Sequence, residues 1–154
     1  PFIVLPNESL AAQARLLIPE VADWDIQVGD MEKALGRADV AIASSGTVTL
    51  ECAWFRIPTV VFYKTSWITY LLGRLFIRVK HIAMPNVMAE REVFPEFIQS
   101  DATGENLARQ VNNYLDEPDR RIELREQLDV IADSLGGKGA AIRAAKSIDH
   151  LLDN

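Results

Sequence analysis

What most narrows the folds open to this chain is the passage from Ala38-Asp39-Val40-Ala41-Ile42-Ala43 into Ser44-Ser45-Gly46-Thr47-Val48-Thr49-Leu50-Glu51. A short apolar run that breaks at Ser-Ser-Gly and resumes with helical spacing reads as a buried strand turning into a helix. Such a turn offers backbone N–H groups to an anion. Ser45 is expected to cap the helix, and Gly46 lets a phosphate approach without a side chain in the way. Glu51 lies about one turn further in. Helical side chains lean toward the amino end, so its carboxylate reaches back toward the same ligand, as a ribose diol requires. The pattern points to a nucleotide, and the same residues equally fit a helix cap followed by a solvated glutamate.

The chain has 154 residues, 49% of them apolar, which supports one domain with a real core. It opens Pro1-Phe2-Ile3-Val4-Leu5-Pro6, without initiator Met, charged leader or small-residue cleavage site. That opening reads as an interior strand in a piece of a longer protein. The lone Cys52 excludes an internal disulfide, fits a reducing compartment and is expected to pack in the core. His81 and His150 are far apart, and no His/Cys cluster has metal-ligand spacing, so neither structural zinc nor another metal site is expected. The net charge of −6 hides an island. Between Glu51 and Glu90 there is no acidic residue, whereas Arg56, Lys64, Arg74, Arg78 and Lys80 fall there, so this segment carries +5 and the rest −11. A basic island in an acidic chain calls for a local anionic partner such as phosphate or lipid headgroups, and the acidic total argues against a nucleic-acid partner.

Short β-rich runs alternate with helical patterns, the signature of an α/β fold: a Rossmann-like parallel sheet with helices on both faces. The expected strands are 2–5, 24–28, 40–44, 59–63 and 81–84; the helices between them are 9–18, 31–38, 47–55 and 67–79. Residues 1–102 form the sheet-bearing part and 103–154 a set of C-terminal helices. Ligands of such sheets bind beyond the carboxyl ends of the strands, where Ser45-Gly46-Thr47 and the loop after Tyr63 fall. From Thr103 onward the pattern is helical, with breaks at Glu117-Pro118 and at Leu135-Gly136-Gly137-Lys138-Gly139. Those glycines follow a helix rather than a strand and are read as a C-cap and turn, not a phosphate loop. The last helix sets Ala141, Ile142, Ala145, Ile148 and Leu152 on one stripe, which needs something to pack against. The segment from Trp67 to Lys80 is too short and too charged to span a bilayer. Trp67 and Tyr70 with Arg74 and Arg78 suit an interfacial helix lying on a membrane; the segment also suits a sheet-packing helix whose arginines reach water. Taken singly, Asn86 after Pro85 fits a turn, and Pro95-Glu96 the first turn of a helix.

Three further groups join the first: Pro58-Thr59-Val60-Val61-Phe62-Tyr63-Lys64, Met84-Pro85-Asn86 and Pro95-Glu96-Phe97-Ile98-Gln99. In this order and spacing, with the 67–80 helix between them, they closely resemble the carboxy-terminal part of the lipid-A-disaccharide synthases, glycosyltransferases of the GT-B type. The likeness covers nearly the whole chain. It implies an inverting enzyme of Gram-negative bacteria that moves 2,3-diacylglucosamine from UDP to 2,3-diacylglucosamine 1-phosphate, needs no cofactor, and works in the cytoplasm, peripheral on the inner membrane. Carried over position by position, Ser45, Gly46 and Thr47 would meet the diphosphate of UDP-diacylglucosamine and Glu51 its ribose. Asn86, Glu96 and Gln99 would lie in the nucleotide-sugar region. Trp67, Tyr70, Arg74 and Arg78, from the interfacial pattern of their own segment, are the membrane-facing candidates. The family's amino-terminal acceptor domain, with its general base, and the Gly-Ser-Arg loop after the first strand of its donor domain are not in this sequence. No catalytic residue is therefore carried over, and the amino-terminal domain and a second copy joined through the C-terminal helix are the expected protein partners. Another GT-B UDP-sugar glycosyltransferase, a sugar-nucleotide epimerase or a non-catalytic nucleotide-binding module would share the strand, turn and helical glutamate.

Overall fold

The computed structural model describes residues 1–18, 24–67, 69–70, 80–136 and 139–152. The chain divides into two compact units, Pro1–Ala38 and Asp39–Asn154. In the first, β1 (Phe2–Leu5) and β2 (Asp25–Val28) pair in parallel, Phe2 opposite Asp25 and Leu5 opposite Val28. Helix α1 (Glu8–Leu17) lies between them in sequence, and α2 (Met31–Leu35) follows β2. Asn7 caps α1 by accepting the Leu10 N–H at 3.0 Å. After β2 the chain turns through Gly29 and Asp30, both left-handed. The Gln27 amide holds that turn by donating to the carbonyls of both residues.

The second unit carries a three-stranded parallel sheet in the order β3 (Ala41–Ser44), β4 (Thr59–Tyr63), β5 (Glu96–Ile98). Ala41 faces Thr59, Ser44 faces Phe62, and Val61 faces Glu96. Helix α3 (Val48–Trp54) links β3 to β4, and α4 (Met84–Ala89) precedes β5. A 3-10 turn at Gln99–Asp101 leads into α5 (Gly104–Asp116), α6 (Pro118–Ser134) and α7 (Ala140–Leu152). Both α3 and α5 pack on β3 and β4, and α6 packs on α3 and α4. The α/β architecture, parallel sheets flanked by helices, is the one the alternating pattern implies. Val60, Val61, Cys52, Ala53, Phe94 and Leu128 form its fully buried centre. On α6 the buried residues are Leu124, Leu128, Ile131 and Ala132, an i, i+4, i+7, i+8 stripe. Each large side chain so buried contributes roughly 1.5–3 kcal/mol.

Two sequence expectations fail here. Residues 81–83 are not a strand, and Met84 already opens α4. Pro85 sits in the first turn, where a missing N–H costs nothing, and the N–H groups of Ile82 and Ala83 bond a carboxylate instead of a ladder. The third strand is instead Glu96–Ile98, the segment that in isolation fits a helix start. The Pro95 carbonyl accepts the Val61 N–H at 2.9 Å, so the proline enters the sheet as an acceptor where no donor is needed. The breaks further on fall where expected. Pro118 begins α6, and the Gly136 N–H bonds the Asp133 carbonyl as the helix ends, with Gly136 left-handed at φ +86°. Of the apolar stripe on helix α7, Ala141, Ile142, Ala145 and Ile148 are exposed.

Candidate nucleotide site

The ladder between β3 and β4 runs one residue past Ser44: the Ser45 N–H bonds the Phe62 carbonyl at 3.0 Å. Gly46 then leaves the strand at φ +148°, a conformation open to glycine and strained for other residues, with nothing within 4 Å of where a Cβ would stand. Its carbonyl is held twice, by the Thr49 N–H at 3.1 Å and the Thr49 hydroxyl at 2.7 Å, while the Thr47 carbonyl takes the N–H groups of Leu50 and Glu51. The N–H groups of Gly46, Thr47 and Val48 therefore donate to nothing among the described residues. These are the donors the turn offers an anion. The expected Ser45 cap is absent. Ser45, just past the end of β3, is still tied to the ladder, Thr47 occupies the N-cap position without a side-chain bond, and the Ser45 hydroxyl donates to the Ile82 carbonyl at 3.5 Å. The carboxylate of Glu51, exposed on α3, makes no hydrogen bond or ion pair among the described residues.

Asn86 is 0% exposed and uses its whole amide. Its Oδ1 accepts the N–H groups of Val93 and Phe94 at 2.9 and 2.8 Å, and its Nδ2 donates to the Phe94 carbonyl and to Glu96 Oε1, both at 2.7 Å. Four bonds are all that an asparagine side chain offers. The Glu96 carboxylate also receives the Ile82 N–H on both oxygens at 3.0 Å and the Ala83 N–H at 2.9 Å. Asn86 and Glu96 thus fasten the 82–83 backbone and the 93–94 loop to β5, and through Ile82 they reach Ser45. Gln99 is 6% exposed and left-handed at φ +52°. Its Oε1 accepts the Thr65 N–H at 2.7 Å and its Nε2 donates to the Thr65 carbonyl at 3.0 Å, so one side chain binds the loop after β4 as a neighbouring strand would.

The predicted residues therefore fall into two groups along the carboxyl edge of the sheet. Gly46, Thr47 and Glu51 keep polar groups unspent, whereas Asn86, Glu96 and Gln99 are bound to the protein itself. Sequence reasoning missed Thr65 and the Ile82 backbone, which carry no motif because they act through main-chain atoms. Trp67 is 69% exposed and meets Tyr70 edge-to-face at 5.8 Å; Ser66 caps this helical turn by accepting the Thr69 N–H at 3.2 Å. Arg74 and Arg78 lie outside the described residues. Cys52 is buried on α3, and that burial, more than the neighbouring Glu51 charge, pushes its thiol pKa up, the state of a packing residue rather than a nucleophile.

Comparison with known proteins decides the family. The family model described as Lipid-A-disaccharide synthetase matches residues 13–145. This chain belongs to the lipid-A-disaccharide synthetase family. The lipid-A-disaccharide synthase of Syntrophus aciditrophicus is 45% identical over 112 residues, 73% of this chain and 29% of that protein. The one from Geobacter sulfurreducens is 40% identical over 114 residues, 74% of this chain and 30% of its own length. That of Solibacter usitatus is 38% identical over 126 residues, 81% and 33%. The chain thus spans about a third of the length of the synthases it matches, and within the family match lie Gly46, Thr47, Glu51, Asn86, Glu96 and Gln99.

Proposed function

We propose that this chain is the donor-binding part of a lipid-A-disaccharide synthase, an inverting glycosyltransferase that takes diacylglucosamine from UDP and passes it to diacylglucosamine 1-phosphate. The observation that carries the reading is the set of three unspent N–H groups at Gly46–Val48 in a chain of this family. A departing UDP gains negative charge on its diphosphate, and donors fixed in place before the reaction stabilise that charge as an oxyanion hole does. Glu51 is positioned one turn along α3 to accept both ribose hydroxyls. The Ser45 hydroxyl turns from the Ile82 carbonyl to the diphosphate when donor binds. The acceptor sugar and the general base belong to the amino-terminal domain, so residues 1–154 alone bind UDP weakly and transfer no sugar.

The acyl chains keep the reaction at a bilayer surface. Among the described residues no helix is long and apolar enough to cross a membrane, and the exposed Trp67 with the +5 segment between Glu51 and Glu90 suits peripheral contact with anionic headgroups. In this reading residues 1–102 hold the donor, residues 103–154 pack on that part or exchange from it, and the exposed stripe of α7 seeks the amino-terminal domain or a second copy.

The test is a transfer assay with both acylated sugars, run on the full-length protein and on residues 1–154, beside calorimetry with UDP. Transfer by the full-length protein only is the expected result. Donor binding without turnover by the full-length protein would favour a non-catalytic nucleotide-binding module, and epimerisation of the UDP-sugar would favour an epimerase. Light scattering with and without residues 138–154 tests the second copy; a monomer at high concentration with α7 intact rules it out.

A further inference from the structure

The loop after β4 is held far more firmly than a surface connection requires. Gln99 adopts a left-handed backbone, unusual for a residue with a side chain, and buries its amide to do so. Both bonds of that amide go to one residue, Thr65. On the far side Ser66 caps the next helical turn, and on the near side Phe62 and Tyr63 are fixed by the ladders to β3 and β5. The residue enclosed by these ties is Lys64. Its backbone is set from both directions, while its side chain is exposed and has no ion pair or hydrogen bond among the described residues. No acidic residue occurs between Glu51 and Glu90 to neutralise it from nearby in sequence. The strand register fixes what lies alongside. Ser44 faces Phe62 and the Ser45 N–H bonds the Phe62 carbonyl, so the chain leaving β4 at Lys64 runs beside the chain leaving β3 at Gly46.

We infer that Lys64 is a further donor-binding residue, its ammonium meeting the diphosphate of the nucleotide, and that Gln99 is the positioning residue that holds it there through Thr65. The inference rests on the donor-site reading above and adds to it a cation on the loop that leaves this edge of the sheet. A lysine ammonium acts on phosphate as a point charge, so its contribution follows the charge of the ligand and is absent for a neutral nucleoside. The strained, buried Gln99 then has a purpose that a solvated lysine would not explain.

The experiment measures, by calorimetry on the full-length protein, affinities for UDP and for uridine in the wild type, Lys64→Met, Lys64→Arg, Gln99→Met and the double variant. Lys64→Met is expected to weaken UDP about tenfold or more and leave uridine unchanged, with Lys64→Arg recovering most of the loss. Gln99→Met is expected to weaken UDP in the same selective way. The double variant should lose little beyond Lys64→Met, because both act through one contact. Equal losses for UDP and uridine, or no loss of UDP affinity in Lys64→Met, overturn the inference while leaving the donor site standing. Failure of the wild type to bind UDP overturns both. Sedimentation with anionic vesicles separates the other source of phosphate: Lys64→Met removes one of the five cations of the basic segment and is expected to keep most of the vesicle binding, whereas lost vesicle binding with intact UDP affinity would assign Lys64 to lipid instead. Should Gln99→Met not fold, the Lys64 pair decides alone.

Discussion

The two halves of the predicted site behave in opposite ways. The Gly46–Val48 N–H groups and the Glu51 carboxylate make no bond among the described residues, whereas the side chains of Asn86, Glu96 and Gln99 are bonded to the protein, chiefly to backbone that a loop would otherwise leave loose. On the donor-site reading proposed above, these residues divide into those that present groups to a ligand and those that fix where the presenting loops lie. The first kind should then be cheap to lose for folding and costly for binding. The second kind is the reverse, because a buried N–H left without a partner costs about 1–3 kcal/mol.

The sharpest way to break this division is Asn86→Ala. It orphans the Val93 and Phe94 N–H groups and removes a donor from both the Phe94 carbonyl and Glu96. A loss of about 3 kcal/mol or more in urea unfolding is expected. A variant as stable as the wild type that binds UDP poorly would move Asn86 into the presenting group and end the distinction.

Next in size is Glu51→Ala. The residue is exposed, so stability should change by less than about 0.5 kcal/mol. Donor affinity should fall by about 1.5–3 kcal/mol, with turnover little affected, because a ribose contact is made equally in ground and transition states. An unchanged Michaelis constant for the UDP-sugar with only turnover reduced would contradict the ribose role.

Gly46→Ala sharpens the comparison on the backbone. No atom lies within 4 Å of the added carbon, but φ +148° is unfavourable for alanine, at a cost of about 1 kcal/mol. The variant relieves that strain by rotating the turn, which should misdirect the three N–H groups and weaken UDP more than uridine. Equal binding of both by the variant would show that these donors do not meet the diphosphate.

How much of this was legible in the sequence follows from the range of each interaction. The turn after β3, the proline at the start of α6 and the glycine that ends it are encoded by residues adjacent in the chain, and they stand where periodicity and turn chemistry set them. The strand expected at 81–84 failed because its outcome depends on Glu96, more than ten residues away. Without that carboxylate nothing in His81-Ile82-Ala83 shows that its N–H groups have a partner outside a sheet. Glu96 itself reads as a helix start until β4 is present to pair with it. Ser45 was misread as a cap for a smaller reason, one extra ladder bond to Phe62. For the site, the motif residues were visible in the sequence, but their division into presenting and holding groups was not, because that depends on which side-chain atoms are already bonded.

The smallest effect separates the core from the edge by pH. Cys52 and Tyr114 are both buried, and burial is the main reason each titrates above its ordinary value, 9.0 for the thiol and 10.0 for the phenol. In the unfolded chain each group ionises at the ordinary value, while in the folded chain it stays neutral to a higher pH. Their neutral forms therefore contribute stability that is fully present below pH 9.0 and is lost as the pH rises through the raised folded values. Each group contributes a slope of at most about 1.4 kcal/mol per pH unit. Urea unfolding between pH 8 and pH 10.5 should show a decline beginning near pH 9, with Cys52→Ala removing its first part and Tyr114→Phe its later part. Glu51→Ala, at the exposed edge, should leave the whole curve in place. A decline that survives both core substitutions would locate the titrating groups elsewhere and show that alkaline sensitivity does not distinguish the packed interior from the open turn.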